Sequence, residues 1–163
     1  MKVTKKHSKW HRRFTQYGAV AVGGVVGALL RETIEVITPA SYGFPIATLL
    51  INWSGSFALA WFYTITIWRF KVPQWLRAGI GTGVIGAYTT FSTFMVETNS
   101  LLVKGQIMMA GLYVALSVVG GFFLAVWASR LAGERKESLQ EGESSRDRMV
   151  DHFGLKDGES FVD

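Results

Sequence analysis

An all-α integral membrane protein with four transmembrane helices is the fold class this sequence predicts, and three observations carry it. Four long apolar segments alternate with short charged or turn-rich connections. Composition agrees: 49% of the chain is apolar, 13% is aromatic and 18 residues are glycine, a mixture suited to helices packed closely in lipid. Charge is the third. Residues 1–133 carry twelve Lys/Arg against Glu32, Glu35 and Glu97, whereas 134–163 carry five against nine Asp/Glu. The basic excess thus belongs to the apolar part, where it sets orientation and touches anionic lipid. Three regions follow: a basic cytosolic N-terminus over 1–14, a four-span domain over 15–132, and a charged, mobile cytosolic tail over 133–163.

The N-terminus holds Lys2, Lys5, Lys6, Lys9, Arg12 and Arg13. A signal peptide also begins with basic residues. Here the apolar run that follows has no A-x-A-like cleavage site and exceeds a typical signal core, so a retained N-terminus is expected. Span 1 is predicted over about Tyr17 to Ile37. Gly18, Gly23, Gly24, Gly27 and Ala28 let another helix approach closely. Arg31 interrupts the apolar run near its end. Two readings of it stand: a side chain that snorkels to the interface, or a fixed positive charge in a vestibule that attracts anions, with Glu32 and Glu35 partly neutralising it.

Thr38 to Gly43, with Pro39 inside it, reads as a turn. Span 2 follows, about Phe44 to Trp68. Asn52 and Ser54 sit where an apolar core belongs, and an amide at that depth is interhelical glue or a solute ligand. Trp61 and Trp68 suit an interfacial belt at the cytosolic end. Arg69 to Arg77, RFKVPQWLR, is expected to be a basic loop.

Span 3, about Trp75 to Val103, has an interrupted centre: Gly79 to Phe94 reads GIGTGVIGAYTTFSTF. Glycine costs about 1 kcal/mol against alanine in a helix, and threonine and serine also disfavour it. Broken backbone in hydrocarbon persists only where protein or a polar pathway satisfies it, which points to an ion or solute site near mid-membrane. The glycines alone would also suit plain helix packing. The TTFSTF hexad, mixing the hydroxyls of Ser92 and Thr93 with the rings of Phe91 and Phe94, suits it less well. Glu97, three residues on, is costly there unless paired or near the interface. Span 4, about Gln106 to Leu131, puts Tyr113 and Ser117 on one helix face, either as a polar face or as ordinary packing. The tail beyond Gly133 is poor in aliphatic residues, with a short helix expected around Glu134 to Gln140.

The N-terminus, the loop at 69–77 and the C-terminal region hold fifteen of the seventeen Lys/Arg, leaving Arg31 and Lys104 to the other side. Both termini are therefore expected in the cytosol. With no cysteine, disulfides, thiolate metal sites and cysteine nucleophiles are excluded. His7, His11 and His152 lie in polar tails and receive no role. No catalytic dyad, phosphate loop or metal cluster appears, so no enzyme is expected. No nucleic-acid-binding fold stands behind the basic N-terminus. What remains is a polar track across a membrane.

On these residues the sequence resembles the Fluc/CrcB fluoride channel family. The carrying stretches are GGVVGALLR over 23–31, ATLLINWSG over 47–55 and GAYTTFSTF over 86–94, followed by Glu97. The resemblance spans about residues 17–131. It implies an antiparallel, dual-topology type dimer of four-helix subunits, with two pores along the interface and a central structural sodium ion. Carried over by motif position, it makes the carbonyls of Gly86 and Thr89 sodium ligands. Phe91 and Phe94 become the rings facing fluoride, Asn52 a pore-lining amide, Arg31 the vestibule cation, and Tyr113 and Ser117 the start of a hydroxyl track, with Ser92 and Thr93 beside the pore. That track often continues four residues on, where this chain has Gly121. The function implied is passive export of cytosolic fluoride across the cell membrane, protecting the cell from its toxicity.

The charge asymmetry departs from a chain that inserts both ways, and predicts a fixed orientation with a second homologous subunit as partner. Two other readings stand beside this one. A structural subunit would scaffold a paired channel protein. A small multidrug-type transporter would need a carboxylate within span 1, where Glu32 and Glu35 lie only near its end.

Overall fold

The computed structural model describes residues 4–38, 43–68, 70, 72–133 and 144, and every described element is helical. Helix α1, Thr4–Ile37, runs unbroken for 34 residues. At 1.5 Å per residue it is about 51 Å long, well beyond a hydrocarbon core of about 30 Å. It begins at Thr4 rather than near Tyr17, so the basic N-terminus continues the span as helix. Helix α2, Ile46–Trp68, follows Gly43, whose φ of 81° is the left-handed turn conformation that glycine adopts freely. Residues 39–42 of the predicted turn lie outside the described residues, as does the helix expected around 134–140.

The third span is two helices. Its first half, α3, covers residues 74–88: an α-turn Gln74–Ala78, a widened π-type stretch Gly79–Ile85, and a last turn Gly86–Tyr88. Arg77 is thus in the first turn of α3 rather than in a loop. Its guanidinium donates to the Thr66 carbonyl at 2.9 Å, at the C-terminal end of α2 where a cation is favourable. The second half, α4, is Ser92–Val103. The halves are roughly 22 and 18 Å long, each too short to cross a bilayer alone. Helix α4 ends in a Schellman motif: Gln106 N–H donates to Leu101 at 2.9 Å and Gly105 N–H to Leu102 at 2.9 Å, with Gly105 at φ 72°. Helix α5, Ile107–Gly133, completes the set, with a second π-type stretch at Leu116–Gly120.

Among the described residues, Ile46–Ile67 and Ile107–Gly133 are each long and apolar enough to cross a membrane. The packing agrees with a lipid setting. The small interior holds Leu49, Leu101, Ala110 and Tyr113, with Phe44, Trp53 and Phe94 packed on it. Large apolar residues such as Val25, Leu29, Met108, Phe122 and Phe123 point outward. Water would not tolerate that much exposed apolar surface on a monomer.

Helix α1 meets α3 almost backbone to backbone. A Cβ at Gly23 would strike the Gly79 carbonyl, and one at Gly27 the Val84 carbonyl. This is the small-xxx-small contact that drives helix association in lipid, where apolar side chains gain nothing by leaving the tails.

Candidate functional site

The break between α3 and α4 is three residues wide. Thr89 turns extended (φ −75°, ψ 154°), Thr90 follows it, and Phe91 leads into α4. The predicted interruption at Gly86 to Phe94 is therefore narrower than the sequence pattern. Gly86 to Tyr88 still close a helical turn, and Ser92 to Phe94 already begin α4.

Asn52 satisfies the break. Its Nδ2 donates to the Thr90 carbonyl at 2.9 Å, and its Oδ1 accepts from Thr90 N–H at 2.9 Å. In a continued helix that N–H would bond the Gly86 carbonyl, which here receives only the Thr89 hydroxyl at 3.5 Å. Thr90 is buried, and its Oγ1 accepts from Thr93 N–H at 3.2 Å, closing the first turn of α4. That oxygen also donates to Thr93 Oγ1 at 3.0 Å and lies 3.3 Å from Ser92 Oγ. Helix α2 comes this close because residue 55 is glycine: a Cβ there would collide with the Thr89 methyl.

Next to the break lies a cavity of about 340 Å³. Asn52, Ser56, Thr89, Phe91, Phe94 and Ser117 line it. Phe91 is 75% exposed, and its ring centroid is 6.0 Å from that of Phe94. Ser117 Oγ is buried there without a hydrogen-bond partner. It sits in the π-type stretch of α5, beside the Leu116 carbonyl that accepts from Trp53 Nε1 at 3.0 Å.

Tyr113 does not line this cavity. It is fully buried, with Phe94 and Phe44 against its ring at centroid distances of 5.1 and 5.6 Å. Its hydroxyl donates to Glu97 Oε2 at 2.7 Å, and Thr48 Oγ1 donates to Glu97 Oε1 at 2.8 Å. The acid that looked costly in span 3 is thus paired with two hydroxyls. Glu97, Thr48 and Thr93 line a second cavity of about 450 Å³, together with Glu35 and Lys104. Arg31 stands beside this mouth through Glu35, its Nε 3.8 Å from Oε1. Of the predicted residues, Asn52, Thr89, Phe91, Phe94 and Ser117 therefore share one cavity. Thr93 belongs to the other, and Tyr113 joins the two through Phe94 and Glu97. Gly86 is exposed beside the break, and Ser92 opens α4. Thr48 and Ser56 are the residues the sequence reading passed over. Their signal was spacing: with Asn52 they stand four apart along α2.

Residues 18–129 match the profile of the family described as "CrcB-like protein, Camphor Resistance (CrcB)". The chain belongs to the CrcB family. It is 45% identical to "Fluoride-specific ion channel FluC 2" of Geobacillus kaustophilus over 127 residues, covering 76% of this chain and 98% of that relative. It is 46% identical over 100 residues to "Fluoride-specific ion channel FluC" of Thermococcus gammatolerans, covering 61% and 81%. A third, "Fluoride-specific ion channel FluC" of Deinococcus radiodurans, is 45% identical over 122 residues, covering 71% and 93%. These relatives are named as ion channels, in agreement with the reading that the chain is not an enzyme. The CrcB match takes in both cavities, the break and Arg31, and leaves the basic N-terminal turns of α1 and the C-terminal tail outside it.

Proposed function

We propose that this chain is a pore-forming subunit of a fluoride-selective channel that lets cytosolic fluoride leave the cell passively. The observation that carries the reading is the cavity beside the clamped break. An exposed Phe91, its neighbour Phe94, the Asn52 amide and the unpartnered Ser117 hydroxyl converge there, inside the CrcB match. Fluoride is small and strongly hydrated, so a path across lipid must replace its water. Amide N–H, hydroxyl O–H and the electropositive edges of aromatic rings are donors without the charge that would trap it. Several weak contacts in sequence let an ion enter and leave. At the other cavity Arg31, tempered by Glu35, raises the local potential for anions.

A cation near the break fits the residues present. The Gly86 carbonyl has lost its helical N–H partner to Asn52, and Thr89 has left the helix, so its carbonyl is off the helix axis. Such carbonyls suit a hard ion like sodium, which would supply a fixed positive charge near the anion path. Assembly is an antiparallel pair in the cell membrane. Both termini face the cytosol, the basic N-terminus lies by anionic headgroups, and a second homologous subunit of opposite orientation completes the pores. Passive export suffices because hydrogen fluoride crosses membranes as a neutral acid and dissociates in the more alkaline cytosol, which traps the ion.

The test is fluoride efflux from liposomes holding the purified chain, alone and with an opposite-topology homologue, with chloride as the control ion. Fluoride-selective efflux in either case upholds the channel. Efflux by the chain alone would replace the heteromeric arrangement with a homodimer. No efflux in either case would sink the proposal.

A further inference from the structure

Two polar stripes face each other across the site. Thr48, Asn52 and Ser56 stand four residues apart on α2, and Tyr113, Ser117 and Gly121 four apart on α5. At the first level both stripes meet on Glu97, through Thr48 and Tyr113. At the second, Asn52 and Ser117 line the cavity beside Phe91. At the third, α5 offers no side chain. A Cβ on Gly121 would lie 3.5 Å from Ser56 Oγ, its nearest neighbour, and Ser56 lines the same cavity.

The Ser56 oxygen is unspent. A serine or threonine in an apolar helix ordinarily bonds the carbonyl three or four residues back. On α2, Ser54 donates to Leu50 at 2.7 Å, Thr64 to Ala60 at 2.8 Å and Thr66 to Tyr63 at 3.2 Å, while Thr48 is taken by Glu97. Ser56 is the remaining serine or threonine of that helix, and it has no hydrogen-bond partner among the described residues. An O–H in lipid without a partner is costly unless a polar occupant of the cavity receives it.

We propose that Ser56 is a donor of the permeation path. At the level of Gly121 the path crosses from α5 to α2, and the Ser56 hydroxyl receives a small, hard, strongly hydrated anion where α5 has nothing to offer. This rests on the fluoride-channel reading above.

Two experiments test it on the full-length chain in liposomes, with its partner subunit where efflux requires one. Ser56→Ala is expected to lower fluoride efflux about tenfold, the loss of one hydrogen bond to a charged group. Adding Gly121→Ser to that variant returns a hydroxyl to the same spot from the opposite helix and is expected to recover most of the rate. Wild-type efflux from Ser56→Ala overturns the proposal. A loss that Gly121→Ser fails to recover also overturns it, marking Ser56 as packing. The second experiment needs no efflux. The chain has no cysteine, so Ser56→Cys introduces its sole thiol. That thiol is expected to react with a small anionic methanethiosulfonate, and fluoride, but not chloride, is expected to slow the reaction. Ala128→Cys, at a fully buried position, is the unreactive control. Should the wild-type protein release no fluoride, the channel reading fails. The thiol then decides the placement of Ser56: reaction ahead of the control upholds it, and reaction no faster than the control overturns it.

Discussion

Asn52 commits its Oδ1 and one of its two amide N–H groups to one residue, leaving the second N–H for the cavity, and that commitment is what makes the break tolerable in lipid. With it, both backbone groups of Thr90 are paired; without it, a buried N–H and a buried C=O lose their partner together. Asn52→Ala is therefore expected to destabilise the protein by about 2–5 kcal/mol. Asn52→Asp keeps the acceptor for the N–H but sets a carboxylate against the Thr90 carbonyl, and should be no better. Denaturant unfolding in detergent measures both, and an alanine variant as stable as wild type would refute the clamp. An amide at mid-span was legible in the sequence as glue or ligand, and the geometry gives it the first role beside the cavity wall. Tyr113 was less legible. Its spacing from Ser117 suggested one shared face, but the two hydroxyls part company because Glu97 needs donors and Tyr113 is within reach. Helical spacing along one segment carries no information about which side chain of another segment it will meet.

Among the elements, the broken third span was the most legible, since its cause is local: glycine, threonine and serine where a helix wants none of them. The exact three-residue width was not, because Thr90 is fixed by Asn52 from a different helix. The π-type widening of α3 also lay beyond the pattern. It accompanies Gly79, Gly81 and Gly83, all buried, and the contact of that stretch with Gly23 and Gly27 of α1 depends on distant backbone. The glycines of α1 separate into two kinds. Gly27→Ala must displace the Val84 backbone and is expected to cost about 1–3 kcal/mol. Gly24 has nothing within 4 Å of a new Cβ, so Gly24→Ala should be neutral or gain up to about 1 kcal/mol from helix propensity. Parallel unfolding of the two variants checks the contrast, and equal losses would refute the α1–α3 contact as the reason for Gly27.

For the whole molecule, the outward apolar surface and the one-sided basic charge were plain from composition and order. A partner was not, because a lipid-facing helix and a subunit-facing helix present the same kind of residue. Orientation is the property at this scale that experiment settles most directly. Reporters fused to the N- and C-termini are each expected to read cytosolic in all molecules, following the fifteen Lys/Arg on that side. A mixed population would refute the fixed orientation and remove the need for a second gene product.

The Thr90 clamp also bears on regulation. A switch needs an element with two arrangements of similar free energy. A backbone break held at both its N–H and its C=O by one side chain has a single arrangement and no spare bond to trade. In the proposed channel, throughput is therefore expected to follow the ion gradient and the number of copies in the membrane, and single-channel records in planar bilayers that open and close in steps would refute this.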